Sequence, residues 1–222
     1  FGTHQGKYPL IWMTLKDVKH PEWPGCLSIL RSVISEEYAR HRYLLESDAL
    51  YQEEKKYILN VLNGEFGLTD DERSLRNLSA YLRRHHAGRV IILIDEYDTP
   101  LHAGYSGGYY EEVIGFIRNF LSGGLKDNEY LSRGILTGIL RVAKESVFSG
   151  LNNPGVYTVL SRKFSDAFGF TESEVRSFLD DRGMGDRYAD VSYWYDGYLF
   201  GGKVIFNPWS VMNYADNEGQ AK

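Results

Sequence analysis

The chain holds 222 residues, 43% hydrophobic and 25% charged, with a formal net charge of −5. That length can bury a full core in one large domain, or one domain with an appendage, and the residue balance is that of an ordinary soluble globular protein. The net acidity argues against broad, sequence-blind binding to nucleic acid or acidic membrane, which needs basic surface, while leaving room for a local basic groove. Cys26 is the single cysteine, which rules out an internal disulfide framework and fits a reducing, cytoplasmic compartment. No apolar run approaches the length of a membrane span, and no signal peptide is visible.

Residues 8–15 (YPLIWMTL) predict a buried strand, with Pro9 tolerated at its start. Residues 21–47 carry Leu27, Leu30, Ile34, Tyr38 and Leu44 at helical spacing, with Pro24 in the first turn. A second helix is predicted over 50–62, stopping near Asn63-Gly64. A third starts at Thr69 with three acids in its first turn, runs through Leu75, Leu78 and Leu82, and stops at Gly88. Adjacent His85 and His86 near its end are expected to point apart as surface residues. Residues 90–94 (VIILI) then form an unbroken β-branched run, the pattern of a strand buried on both faces in a parallel sheet. Strand, helices, strand is the grammar of a parallel sheet with helical crossovers.

Beyond that strand, residues 102–110 (HAGYSGGYY) predict a loop and residues 111–121 a helix ended by Gly123-Gly124. Residues 134–140 (GILTGIL) predict a third buried strand and 156–160 (VYTVL) a short fourth one. Thr171 followed by Glu174 forms a capping box that opens a helix. Residues 193–206 (YWYDGYLFGGKVIF) predict a hairpin with turns at Asp196-Gly197 and Gly201-Gly202, and Asn207-Pro208 opens a last helix. The expected organisation is a core over 1–164 and a smaller lid or docking subdomain over 165–222.

The 90–94 run stops on Asp95 and Glu96. An apolar layer does not take unpaired carboxylates, so both belong at the carboxyl end of the strand, where open α/β sheets bind ligands. One reading is a buried strand that ends in solvated acids. The other is nucleoside triphosphate hydrolysis, in which Asp95 organises Mg²⁺ and Glu96 orients or deprotonates the attacking water. The segment after the neighbouring strand supplies candidates for phosphate contact: Arg141 first, with Thr137 and Lys144 behind it. Arg141 and Lys144 have a structural alternative, as solvated side chains or as partners of Glu145 or the Asp-Glu pair.

Four stretches in this order, VIILIDEYDTPLHAGYSGGYYEEV, LTGILRVAKESVFSGLNN, DAFGFTESEV and WYDGYLFGGKVIFNPWSV, resemble the AAA-ATPase-like family, whose members often carry a PD-(D/E)xK nuclease-like domain downstream. The resemblance covers residues 8–214. It implies an α/β P-loop NTPase-like parallel sheet with helical crossovers, lacking the P-loop strand, plus a small C-terminal α/β subdomain. It further implies ATP and Mg²⁺ as ligands of the intact protein, with Asp95 and Glu96 matching the Walker B pair and Arg141 the basic position after the sensor strand. A downstream nuclease-like domain in the same protein is an implied partner; membrane attachment and direct nucleic-acid binding by this chain are not expected.

The chain departs from that pattern in one place. A phosphate cradle of the form GxxxxGK[ST] needs glycine N–H groups, a lysine and a hydroxyl at fixed spacing. Residues 2–7 (GTHQGK) come nearest but run into Tyr8, so the expectation is that the P-loop lies upstream and this chain alone is inactive. Removing the P-loop strand is expected to leave two bare strand edges facing a gap between the third and fourth strands, filled by oligomerising, by rearrangement or by an upstream segment. The nuclease chemistry itself has no matching acid-x-Glu-x-Lys strand pattern here. A competing reading from a different class is a degenerate ATPase fold that docks a nuclease-like domain or another protein. The aromatic WYDGY stretch fits either a ligand platform or the packing of a small domain.

Overall fold

The computed structural model describes residues 2–67, 69–139, 154–195 and 197–220, which form two compact units meeting in sequence between Pro154 and Gly155. Arg141 and Lys144 lie outside the described residues, as do Asp196 and the end of the predicted third strand. No helix among the described residues is long and apolar enough to cross a membrane.

The first unit is built on a parallel three-stranded sheet in the order β1 (Leu10–Thr14), β2 (Val90–Asp95), β3 (Leu131–Leu136). Helices α1 (Trp23–Arg40), α2 (Gln52–Leu62) and α3 (Asp70–His86) connect β1 to β2, and α4 (Thr99–Gly107) and α5 (Tyr110–Leu125) connect β2 to β3. The β-branched run of β2 takes the central position because it alone must pair on both sides. Val90, Ile92 and Ile94 are sealed in the core, whereas Ile91 and Leu93 on the opposite face are half-buried, so the expectation of full burial on both faces holds for one face only. On α1, Cys26, Leu30, Ile34 and Tyr38 recur every four residues and bury one stripe.

Gly123 and Gly124, predicted to end a helix, lie inside α5 instead. A Cβ at Gly123 would stand 2.3 Å from the Glu72 carbonyl oxygen, and one at Gly124 2.7 Å from Leu75 Cδ1. The two glycines let α5 approach the backbone of α3 at Glu72 and the side chain of Leu75, an advantage that outweighs the helix penalty of about 1 kcal/mol each. The predicted loop 102–110 is largely the helix α4. Pro100 sits in its first turn, and Leu101 and Gly104 are buried.

The two edges of the sheet differ. On β1, the Trp12 N–H donates to Glu37 Oε1 at 2.9 Å, and Arg40 Nη1 reaches the Trp12 carbonyl at 3.5 Å. Glu37 is buried and further held by Arg40 at 2.9 Å and His41 Nε2 at 3.1 Å, so side chains satisfy this edge in place of another strand. On β3, four of six residues are exposed, Ile135 by 51%, although parallel strands are normally covered. The predicted fourth strand is absent. Residues 156–160 pair with no strand and leave Val156, Tyr157, Val159 and Leu160 exposed. The expected gap with two bare edges is therefore a single open edge at β3 among the described residues.

The second unit packs β4 (Phe170–Thr171), β6 (Lys203–Phe206) and β5 (Tyr198–Phe200), antiparallel in that order, with α6 (Glu172–Asp181), α7 (Tyr188–Tyr195) and α8 (Pro208–Asp216). Val175, Leu179, Val191, Phe206, Val211 and Tyr214 form its core. The capping box closes as predicted: Thr171 Oγ1 accepts from the Glu174 N–H, and Glu174 Oε2 accepts from the Thr171 N–H at 2.8 Å. Asn207 caps α8 by accepting from the Trp209 N–H at 2.9 Å. Only the second half of the predicted hairpin pairs, because residues 193–195 complete α7, whose Tyr195 packs against Tyr214 while Trp194 stays exposed.

His85 and His86 do not point apart; both rings meet Tyr43, at 5.2 and 5.7 Å between centroids. The Tyr43 hydroxyl links His86 Nε2 at 2.8 Å to His41 Nδ1 at 3.1 Å, ahead of the buried Glu37. Loss of hydration, then the neighbouring His85 and His41, holds the His86 imidazole below its ordinary value of 6.5. The unfolded chain therefore binds a proton near pH 6.5 that the folded chain still refuses. Stability should be unaffected by His86 at pH 8 and should fall as the pH drops through about 6.5. Urea denaturation of His86→Gln against the parent is expected to show a shallower loss between pH 7 and 5.

Candidate functional site

The carboxyl ends of the three parallel strands bring a small polar group together. In register, Thr14 of β1 lies beside Asp95 of β2, and the Ile94–Leu136 pairing sets Thr137, one residue past β3, on the other side. Thr14 Oγ1 donates to Asp95 Oδ2 at 3.4 Å, and Thr137 Oγ1 donates to Asp95 Oδ1. The carboxylate is thus gripped from both neighbouring strands and remains half-buried. Backbone bonds lock the same frame: Leu15 N–H to the Asp95 carbonyl at 2.8 Å, Thr137 N–H to the Ile94 carbonyl at 3.0 Å, and Tyr97 N–H to the Thr137 carbonyl at 3.1 Å.

At Glu96 the chain leaves the strand through a left-handed conformation, φ 52°. A non-glycine residue there costs about 1 kcal/mol, and such positions concentrate where a side chain must be aimed. The turn lifts Glu96 out of the sheet and lets Thr99 Oγ1 donate to its Oε2 at 3.0 Å. Helix α4 begins three residues later, so the positive end of its dipole faces the carboxylates. Asp98 is buried; its Oδ2 accepts the Ile139 N–H at 3.0 Å and lies 3.6 Å from His102 Nε2. Through Asp98 the start of α4 is tied to the segment that follows β3.

Of the residues singled out from sequence, the structure joins Asp95, Glu96 and Thr137 at one sheet end. Thr14, Thr99, Asp98 and His102 were missed. Isolated threonines carry no sequence signal of their own; only strand register reveals Thr14. The donor set suits a hard cation. One carboxylate backed by hydroxyls matches Mg²⁺, which keeps several waters and uses one or two protein carboxylates plus substrate phosphates. No cluster of three or more His, Cys, Asp or Glu side chains able to hold a metal occurs among the described residues.

A family model described as Predicted AAA-ATPase matches residues 2–148. The chain belongs to that family. A curated relative, the "Uncharacterized protein in vnfD 5'region" of Azotobacter chroococcum mcd 1, is 29% identical over 161 residues, 70% of this chain and 31% of that protein. The chain thus spans less than a third of that relative's length over the matched region. No solved structure matches.

The strain at Glu96 is measurable. Glu96→Gly and Glu96→Ala both lose the Thr99 bond, but only glycine relieves the left-handed conformation. Glu96→Gly is expected to be the more stable by about 1 kcal/mol in thermal or urea unfolding.

Proposed function

We propose that this chain is the Mg²⁺-binding and water-activating part of an AAA-like ATPase, which in its intact form binds and hydrolyses ATP to drive a conformational change. The observation that carries the reading is Asp95, gripped by Thr14 and Thr137 at the carboxyl ends of adjacent parallel strands, with Glu96 aimed separately beside it. Bound Mg-ATP would supply the electrophilic phosphorus and most of the charge neutralisation. Asp95 holds the cation, and its two threonine donors keep the carboxylate from rotating. Glu96 orients the attacking water and accepts its proton. Arg141 senses the phosphate oxygens, with Lys144 and Thr137 as further contacts.

The phosphate cradle itself is absent from this sequence, so these 222 residues alone are proposed to be inactive. The edge of β3, open among the described residues, supports the view that a further strand belongs beside it, carrying the glycine-rich loop toward Asp95. A nuclease-like domain in the same protein is the proposed recipient of the conformational change.

In the intact protein, Glu96→Gln should lower ATP turnover by about a hundredfold or more while leaving ATP affinity unchanged. Unaltered turnover, or no turnover in the parent, would instead favour a degenerate fold that docks a partner.

A further inference from the structure

Helix α3 carries a row of arginines that no fold contact uses. At 3.6 residues per turn, Arg73, Arg76, Ala80 and Arg83 fall within about a quarter turn of one another and extend for about 15 Å. Arg73 and Arg76 are exposed and Arg83 half-buried. Among the described residues, Arg73, Arg76, Arg83 and Arg89 make no ion pair and no hydrogen bond, whereas Arg84 on the same helix is committed to Glu54 at 2.5 Å. The acids of α3 sit in its first turn and have partners: Asp71 pairs with Arg31 at 2.8 Å, and Glu72 accepts from Asn119 at 2.7 Å. Helix electrostatics explain basic residues only in the last turn. Arg73 lies near the amino end of α3, where the dipole opposes it. Arg83 sits in the last turn, where the dipole favours it, but Arg73 and Arg76 have neither that explanation nor a protein partner, and an external anion would supply one.

The row leads into an open cavity of about 470 Å³, lined by Arg83, Arg84, Ala87, Arg89, Glu129 and Tyr130. Arg89 and Tyr130 immediately precede β2 and β3, so the cavity opens at the amino ends of the strands. Asp95 lies at the other end of β2, about 20 Å away at the rise of an extended strand. The cavity is therefore separate from the candidate Mg²⁺ site and does not depend on the ATPase reading.

We propose that this face binds single-stranded nucleic acid, with phosphates along Arg73, Arg76, Arg83 and Arg89 and one base in the cavity against Tyr130. The pairing of a cationic track with an aromatic ring is how such strands are held without reading a duplex groove. Glu129 gives the cavity a chemical preference. A carboxylate there accepts a hydrogen bond from an exocyclic base amine, present on cytosine and absent from thymine. This reverses the expectation drawn from the net charge of −5, which argues against a broad basic surface but leaves room for a basic field local to α3.

The test is fluorescence anisotropy of the 222-residue chain with labelled oligo-dC and oligo-dT of about a dozen nucleotides at several salt concentrations. Oligo-dC should bind more tightly than oligo-dT, and four phosphate contacts should give a log–log salt slope of about −2.8. Arg83→Gln/Arg89→Gln should weaken binding by about tenfold or more and reduce the slope's magnitude by about 1.4. Arg73→Gln/Arg76→Gln, remote from the cavity, should weaken both oligomers alike, and Glu129→Gln should narrow the dC-over-dT preference. Arg176→Gln/Arg182→Gln in the second unit removes the same charge elsewhere and should change nothing. The proposal is overturned if neither oligomer binds at low salt, if the α3-side variants bind as the parent does, or if cytidine monophosphate or an acidic peptide competes as well as the oligomer.

Discussion

The structure turns on the incompatibility between the apolar layer that β2 must enter and the two carboxylates that follow it. Val90, Ile92 and Ile94 gain stability by burial in the core of the first unit, while Asp95 and Glu96 lose several kcal/mol if they follow them inside. The sheet must therefore end at Asp95. That single boundary fixes where Thr14 and the Thr137 segment fall, because register carries it to both neighbours. The left-handed turn at Glu96 completes the arrangement by taking the chain out of the strand, so that Thr99 Oγ1 holds the Glu96 carboxylate.

Among the described residues, the two edges of the same sheet are treated differently. Glu37 and Arg40 occupy the polar groups of Trp12 as another strand would, and a hydrogen-bonded chain from the exposed Tyr43 through buried His41 holds Glu37 in place. Nothing comparable covers β3 among the described residues. Among the described residues, the edge without such partners is that of β3, next to Thr137 and Asp95. Exposed apolar residues at 156–160 point to the same incompleteness in the segment that opens the second unit.

Elements defined by local chemistry were legible in the sequence. The unbroken run of β2, the four-residue stripe of α1, and the caps at Thr171 and Asn207 all formed where residue types demanded them. Elements decided by tertiary contact were not. Residues 102–107 are turn formers by composition, yet α4 forms because Pro100 starts it and Leu101 and Gly104 bury against the unit. Gly123-Gly124 reads as a helix stop until α3 is seen to need that space. Residues 156–160 have strand composition but no strand to pair with. Within the candidate site, Asp95 and Glu96 announced themselves by interrupting an apolar run, whereas Thr14, Thr99 and Asp98 became visible only through register and hydrogen bonding.

The decisive measurement is calorimetric titration of Mg-ATP into this chain and into a form of the protein extended upstream by about 70 residues, the length of a strand, glycine-rich loop, helix and connection. If Asp95 holds the cation of a bound nucleotide, the extended form is expected to bind Mg-ATP, this chain alone to bind weakly or not at all, and Asp95→Asn to abolish the Mg²⁺ dependence of the extended form. Absence of binding to both forms, or Mg²⁺-dependent binding that ignores Asp95, contradicts it.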